Sequence, residues 1–182
     1  KRGCYADKPQ MMKQMNTKPL TMGRVRLQRA TLEDCVDIHH MQAEAFRALL
    51  TKYQDHRRNP GAEPLARIVQ RMKQEGTHYY LILVDNHMAG AVRVVRLHDA
   101  AYRIAPMFIL PTHQGNGYAQ QALSVLESLY PQATHWELDT IKEEEKLCYL
   151  YEKMGYHRTG KEESLQDGMT VVYYAKEIQH TD

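Results

Sequence analysis

The segment Ile109-Leu110-Pro111-Thr112-His113-Gln114-Gly115-Asn116-Gly117-Tyr118-Ala119 constrains this chain more than any other. An apolar run ends at a proline, two glycines follow, and from Gly117 the period becomes helical. Ala119, Ala122, Leu123, Leu126 and Leu129 fall at i, i+3, i+4, i+7 and i+10, a single apolar stripe. A strand that enters a helix through such a loop leaves unbonded N–H groups and partial positive charge at the helix start. That end binds phosphate without needing Lys or Arg. Gly115 and Gly117 lack side chains that would block close approach to the backbone. Taken alone, two glycines before a helix are also ordinary turn chemistry. Two rival phosphate loops do not fit. A Walker loop needs Gly-Lys-Ser/Thr where this chain has Gly117-Tyr118-Ala119, and a dinucleotide fingerprint needs three glycines after a first strand, whereas this loop follows the fourth.

The surrounding pattern supplies the other elements. Arg24 to Ala30 alternates polar and apolar residues as a half-buried strand does. Thr31-Leu32-Glu33-Asp34 is a helix start, and Cys35 to Leu50 continues at roughly helical spacing. After a break at Asn59-Pro60-Gly61, Leu65, Ile68, Val69 and Met72 mark a second helix. Strands follow at 79–84, 91–97 and 101–110, the last containing Pro106, which cannot donate to a ladder and marks an edge, a bulge or a departing neighbour. Thr134 to Thr140 is a further strand, Leu147, Leu150, Tyr151 and Met154 a last helical stripe ending at Gly155, and 156–164 with 169–178 a closing hairpin. The order β-α-α-β-β-β-α-β-α-β-β predicts an α/β (α+β) fold. Its sheet is mixed and mostly antiparallel, of six to seven strands, with about four helices on two faces.

Two motifs on this frame resemble the GNAT superfamily of N-acetyltransferases. Gln114, Gly117 and Ala119 match the Gln/Arg-x-x-Gly-x-Gly/Ala pyrophosphate loop, and Ile109 and Pro111 match the strand end before it. Leu150-Tyr151-Glu152-Lys153-Met154-Gly155-Tyr156 is similar to the family's Leu-Tyr-x-Lys-x-Gly-Phe helix end, with Tyr156 for the usual Phe. An Asn common about seven residues before the Tyr is Glu144 here, which puts one cofactor contact in doubt. The resemblance implies acetyl-CoA as co-substrate, with the fourth and fifth strands splayed to admit the pantetheine arm. It places Phe108, Ile109 and Leu110 along that arm, and Gln114 with Gly115, Asn116, Gly117, Tyr118, Ala119 and Gln120 around the pyrophosphate. Tyr151 carries over as proton donor to the leaving sulfur. For the base that frees the amine, Glu44, Asp99, His113 and Asp139 are candidates by position alone.

Composition narrows the class. Residues 1–23 hold five basic residues and one acidic, so the remaining chain, with 19 basic and 21 acidic residues, is mildly acidic despite a net charge of +2. A nucleic-acid partner is therefore not expected. No run approaches the ~20 apolar residues of a membrane span, so no membrane association is expected. Three widely spaced cysteines and no apolar leader fit a reducing compartment, and the cytoplasm is the expected location. The ten histidines show no metal-ligand spacing. Residues 1–23 read as a basic extension and 24–182 as a single acetyltransferase domain. The expected activity is acetyl transfer to a primary amine of a small molecule or peptide by direct attack in a ternary complex. The alternative is a catalytically idle acetyl-CoA sensor or interaction module. Polyamines, aminoglycosides, amino acids and protein N-termini all remain open as acceptors, and a homodimer remains open as the assembly.

Overall fold

The computed structural model describes residues 21–179. Val25 and Leu27 turn inward from β2 (Val25–Arg29), as the alternation requires. A two-residue strand β1 (Thr21–Met22) folds back on β2, so the sheet begins inside the segment expected to be an extension. Residues 1–20 lie outside the described residues. Asp34 returns its carboxylate to the Thr31 amide at 2.7 Å, closing the cap before α1 (Cys35–Ala45). The expected single helix to Leu50 is interrupted at Phe46, and α2 (Arg47–Tyr53) starts afresh. Phe46 packs edge-on against Phe108 at 5.8 Å at this break, a tertiary contact that periodicity does not encode.

The chain continues through α3 (Leu65–Met72), β3 (Thr77–Val84), β4 (His87–His98), β5 (Ala101–Ile109) and α4 (Tyr118–Ser128). It closes with β6 (His135–Ile141), α5 (Glu145–Lys153), β7 (His157–Gln166) and β8 (Met169–Glu177). The sheet has eight strands in the order β1-β2-β3-β4-β5-β6-β8-β7, one more than the upper expectation, and only β5 and β6 run parallel. On one face α4 and α5 bury Leu123, Leu126 and Cys148 against Trp136 and Leu138. On the other, α1 and α3 bury Ile38 and Ile68 against Tyr79 and Leu81. Each large side chain sealed in this way stabilises the fold by about 1.5–3 kcal/mol.

The two parallel strands meet only briefly. Ala101, Tyr102 and Arg103 pair with His135, Trp136 and Glu137, and beyond them β5 and β6 have no register. β5 stays with β4 instead, as Met107, Phe108 and Ile109 pair with Val92, Ala91 and Gly90. Between Val92 and Val94 the register slips, setting the single Arg93 against Ala105 and Pro106. The expected departure at Pro106 is thus real, and it lies three residues past the last β5–β6 pair.

Gly90 is where β4 holds the diverging strand. A Cβ there would lie 2.0 Å from the Phe108 carbonyl oxygen and 3.1 Å from the Ile109 Cα. Both are backbone atoms, so relief requires β5 to move. Gly90→Ala is expected to cost about 1–3 kcal/mol by thermal or urea unfolding and to weaken acetyl-CoA binding together with it. A variant of unchanged stability would show that this close approach is unimportant.

Candidate active site

The loop after β5 is built to present backbone. Pro111–His113 forms a 3-10 turn, and Gly115 and Gly117 adopt φ of +79° and +77°, which L side chains rarely take. Gly117 is the N-cap of α4. The Gln114 side chain donates to the Ile109 carbonyl at 2.8 Å, so it ties the strand end to the loop. Asn116 donates to the His113 and Gln114 carbonyls at 3.2 and 3.1 Å, closing the turn on itself. Among the described residues, none of the backbone amides from Gly115 to Gln120 finds a partner. The first helical bond is that of Gln121 to the Gly117 carbonyl at 3.1 Å. A Cβ on either glycine would meet only open space. Free amides and open space in front of a helix start fit a pyrophosphate. The Tyr118 ring is buried beneath Arg24, so its amide alone is available.

The edge of β5 that faces β6 continues this polar track. Leu110 donates to the Ala89 carbonyl at 2.7 Å, which makes that pair a hydrogen-bonded one. Antiparallel alternation then turns Phe108 toward β4 and leaves the amides and carbonyls of Met107 and Ile109 facing the opening. Of the three expected arm residues, Ile109 thus keeps its main chain toward the gap, while Leu110 and Phe108 engage β4. The Phe108 side chain packs on the α1/α3 face. Met107 was missed because pairing parity is invisible until the bulge at Ala105–Pro106 is known.

Tyr151 stands on α5, on the face that packs against β6. Its helix ends in a Schellman motif, with Tyr156 donating to the Tyr151 carbonyl at 3.0 Å and Gly155 to Glu152 at 3.1 Å. Gly155 supplies the required left-handed turn at φ +88°. Tyr156 and Tyr174 flank the ring at 6.1 and 6.3 Å. The side chain is only 7% exposed, and its hydroxyl makes no hydrogen bond to a described residue. Burial, then the nearby Asp139 and Cys148, push its pKa well up, so it is a protonated donor at neutral pH. Cys148 is buried, its thiol against the Ile141 and Lys142 carbonyls at 3.7 Å.

Of the four candidate bases, Asp139 lies at the fork of β5 and β6. Arg103 ion-pairs with it and donates to Glu137 at 2.9 Å, at the point where the strands part. Burial among neighbouring groups raises the Asp139 carboxyl above the ordinary range and outweighs Arg103, although 34% of the side chain remains accessible. Asp99 is fully exposed beside Arg96, Glu44 lies on the exposed side of α1, and His113 bonds Thr112 at 3.0 Å. Glu144 accepts from Lys52 and from the Tyr53 hydroxyl, both at 2.6 Å. Its carboxylate is therefore committed to fastening the end of α2 over α5. Among the described residues no group of three or more His, Cys, Asp or Glu is placed to hold a metal ion, and no helix is long and apolar enough to cross a membrane.

The family model for the acetyltransferase (GNAT) domain matches residues 46–178. The chain belongs to the GNAT acetyltransferase family. It is an acyltransferase by that membership, with acetyl-CoA as co-substrate. RimL, a ribosomal-protein α-N-protein acetyltransferase in complex with coenzyme A, superposes with a TM-score of 0.70 at 15% identity, covering 87% of this chain and 97% of that one. A spermidine N-acetyltransferase SpeG chimera from Vibrio cholerae and hSSAT gives 0.68 at 15% identity over 85% and 96%. The GNAT domain of S. lividans PAT gives 0.65 at 15% identity over 86% and 92%. At these identities the likeness is one of fold. No curated protein sequence matches the chain.

Two expectations follow from the geometry. Gly117→Val forces a branched residue into φ +77° and fills the space before the free amides. Acetyl-CoA affinity by calorimetry is expected to fall at least about tenfold while the fold persists, since the lost contacts are charge-assisted. For Asp139, the folded chain holds the proton more tightly than the unfolded chain, whose pKa is about 3.9. Its charge therefore costs stability at neutral pH, and that cost fades as pH falls through the folded pKa. Asp139→Asn is expected to raise Tm at pH 7, with the gain shrinking toward pH 4. A loss of Tm independent of pH would contradict this.

Proposed function

We propose that the chain transfers an acetyl group from acetyl-CoA to a primary amine of a small molecule or peptide, by direct attack within a ternary complex. The observation that carries this reading is the opening between β5 and β6, with Tyr151 on one face and Asp139 on the other. Acetyl-CoA supplies the acyl group as a thioester. The amides of Gly115 to Gln120 hold the pyrophosphate, and the main chain of Met107 and Ile109 aligns the arm as a missing strand would.

An ammonium cannot attack, so the acceptor must first lose a proton. Asp139, with its raised carboxyl pKa, takes that proton at the acceptor face. The free amine forms the new C–N bond and the C–S bond breaks. The Tyr151 hydroxyl delivers a proton to the departing sulfur and regains one from the nitrogen, which sheds its second proton as the amide forms. The opening thus separates a proton acceptor on one side from a proton donor on the other. A site with only the cofactor track would serve an idle sensor equally well, and this pair of groups is what favours turnover.

Acetyl-CoA consumption with a panel of amines, followed by thiol release, tests the reading. Binding without thiol release from any amine would reduce the chain to a sensor. Tyr151→Phe removes one hydroxyl from a packed ring and is expected to lower the single-turnover rate by about 10²-fold or less, since a thiolate needs little help in leaving. Acetyl-CoA affinity should change much less. Wild-type single-turnover rates in this variant would remove Tyr151 from the chemistry.

A further inference from the structure

The acceptor face of the sheet carries an unbalanced pair of charges. Arg93 pairs across β3 with the buried Tyr79, which sets it on the face covered by α1 and α3. Asp139 lies on that face too, because its neighbour Leu138 is buried on the opposite one. The cations here have carboxylate partners. Arg58 meets Glu163 at 2.8 Å, Arg71 meets Glu63 at 2.8 Å, and Arg103 serves both Glu137 and Asp139. Lys161 lies over the Tyr173 ring at 4.3 Å on an exposed edge strand, where water solvates it.

Arg93 differs. Its Nε donates to the Ala105 carbonyl, and no carboxylate among the described residues pairs with it. Its terminal nitrogens are not among the sealed, unpartnered atoms, so they reach accessible space. Burial chiefly pulls its pKa down and Arg71 adds repulsion, against attraction from Tyr79 and Glu63. A guanidinium partly removed from water without a counterion is costly, and an anion beside it recovers that cost. Across the opening Glu137 and Asp139 share Arg103, with the His135 imidazole 3.7 Å from Glu137 and Arg58, itself paired with Glu163, adding a weaker attraction to Asp139. Ala105, where Arg93 is anchored, follows the last paired residue of β5 by two positions, as Asp139 follows the last paired residue of β6. Arg93 and Asp139 therefore lie on the same face of the sheet, on the two strands that flank β5.

We propose that the acceptor is an amine that also bears a carboxylate, its ammonium held at Asp139 and Glu137 and its carboxylate on the Arg93 guanidinium. One such molecule pairs with both charges at once. A polycationic acceptor would satisfy Asp139 and be repelled by Arg93. The proposal deepens the acetyl-transfer reading and rests on it for the acceptor's role, whereas the binding of the carboxylate can be measured without turnover.

The test is calorimetric titration of the CoA-loaded protein with matched pairs that differ only in carboxylate against carboxamide: glycine, β-alanine and a dipeptide with a free C-terminus, with spermidine as the cationic control. At least one carboxylate is expected to bind about tenfold or more tightly than its amide. Arg93→Met should abolish the difference, and Arg93→Lys should keep part of it. Equal affinities within every pair, tightest binding of spermidine, or a preference that survives in Arg93→Met would overturn the proposal. Should Arg93→Met fail to fold, the wild-type pairs and Arg93→Gln still decide. Thiol release is followed with the same compounds. Carboxylate-selective binding without thiol release from any of them would uphold the Arg93 subsite and overturn the acetyl-transfer reading instead.

Discussion

The site depends on the failure of one pairing. β5 and β6 share three residue pairs and then part, after Arg103 and Glu137. The cause is local on each side. Pro106 has no N–H to offer, and the extra residue at Ala105–Pro106 is absorbed against Arg93, which anchors the Ala105 carbonyl toward β4. Gly90 lets β4 approach β5 closely enough to keep it. Arg103 bridges two successive carboxylates of β6 at the fork, fixing where the separation starts. A strand edge left in this way exposes main-chain amides and carbonyls, a liability in most sheets and the basis of the binding surface proposed here.

The opening organises charge as well as shape. On the α4/α5 face a buried tyrosine is kept protonated, and on the α1/α3 face a crowded carboxylate is kept hungry for a proton. Both shifts have burial as their leading cause, and both follow from placing polar side chains on core-facing elements beside a gap. The helix ends complete the arrangement. The start of α4 offers amides because Gly117 caps it without a side chain, and the end of α5 holds the Tyr151 carbonyl in a glycine-dependent turn.

Some roles were legible before the fold was known. The glycines of the loop and the Leu-Tyr-x-Lys-x-Gly helix end both encode backbone requirements, a positive φ or a free amide, and such requirements leave local marks. The stripe of α4 and the inward pair Trp136 and Leu138 were readable from periodicity in the same way. Other roles left no such mark. Gln114 matches the loop motif, yet its side chain serves the protein, bonding the Ile109 carbonyl. Glu144, at the position of doubt, proves to fasten α2. Three acids and a histidine were equal candidates in the chain, and only the fold set Asp139 beside Arg103 at the fork.

The sequence by itself determined the element order save for β1 and the break before α2, together with the glycine loop before α4 and the helix end that carries Tyr151, because each rests on interactions within a few residues. Only the tertiary structure decided which main-chain groups face the gap, because a single bulge reverses strand parity and moves the exposed amides from Phe108 to Met107. It also decided that Arg93, an unremarkable residue in an apolar run, lies without a paired carboxylate on the same face as Asp139. Charge balance is a property of neighbours brought together from β4, β5 and β6, and no spacing along the chain records it.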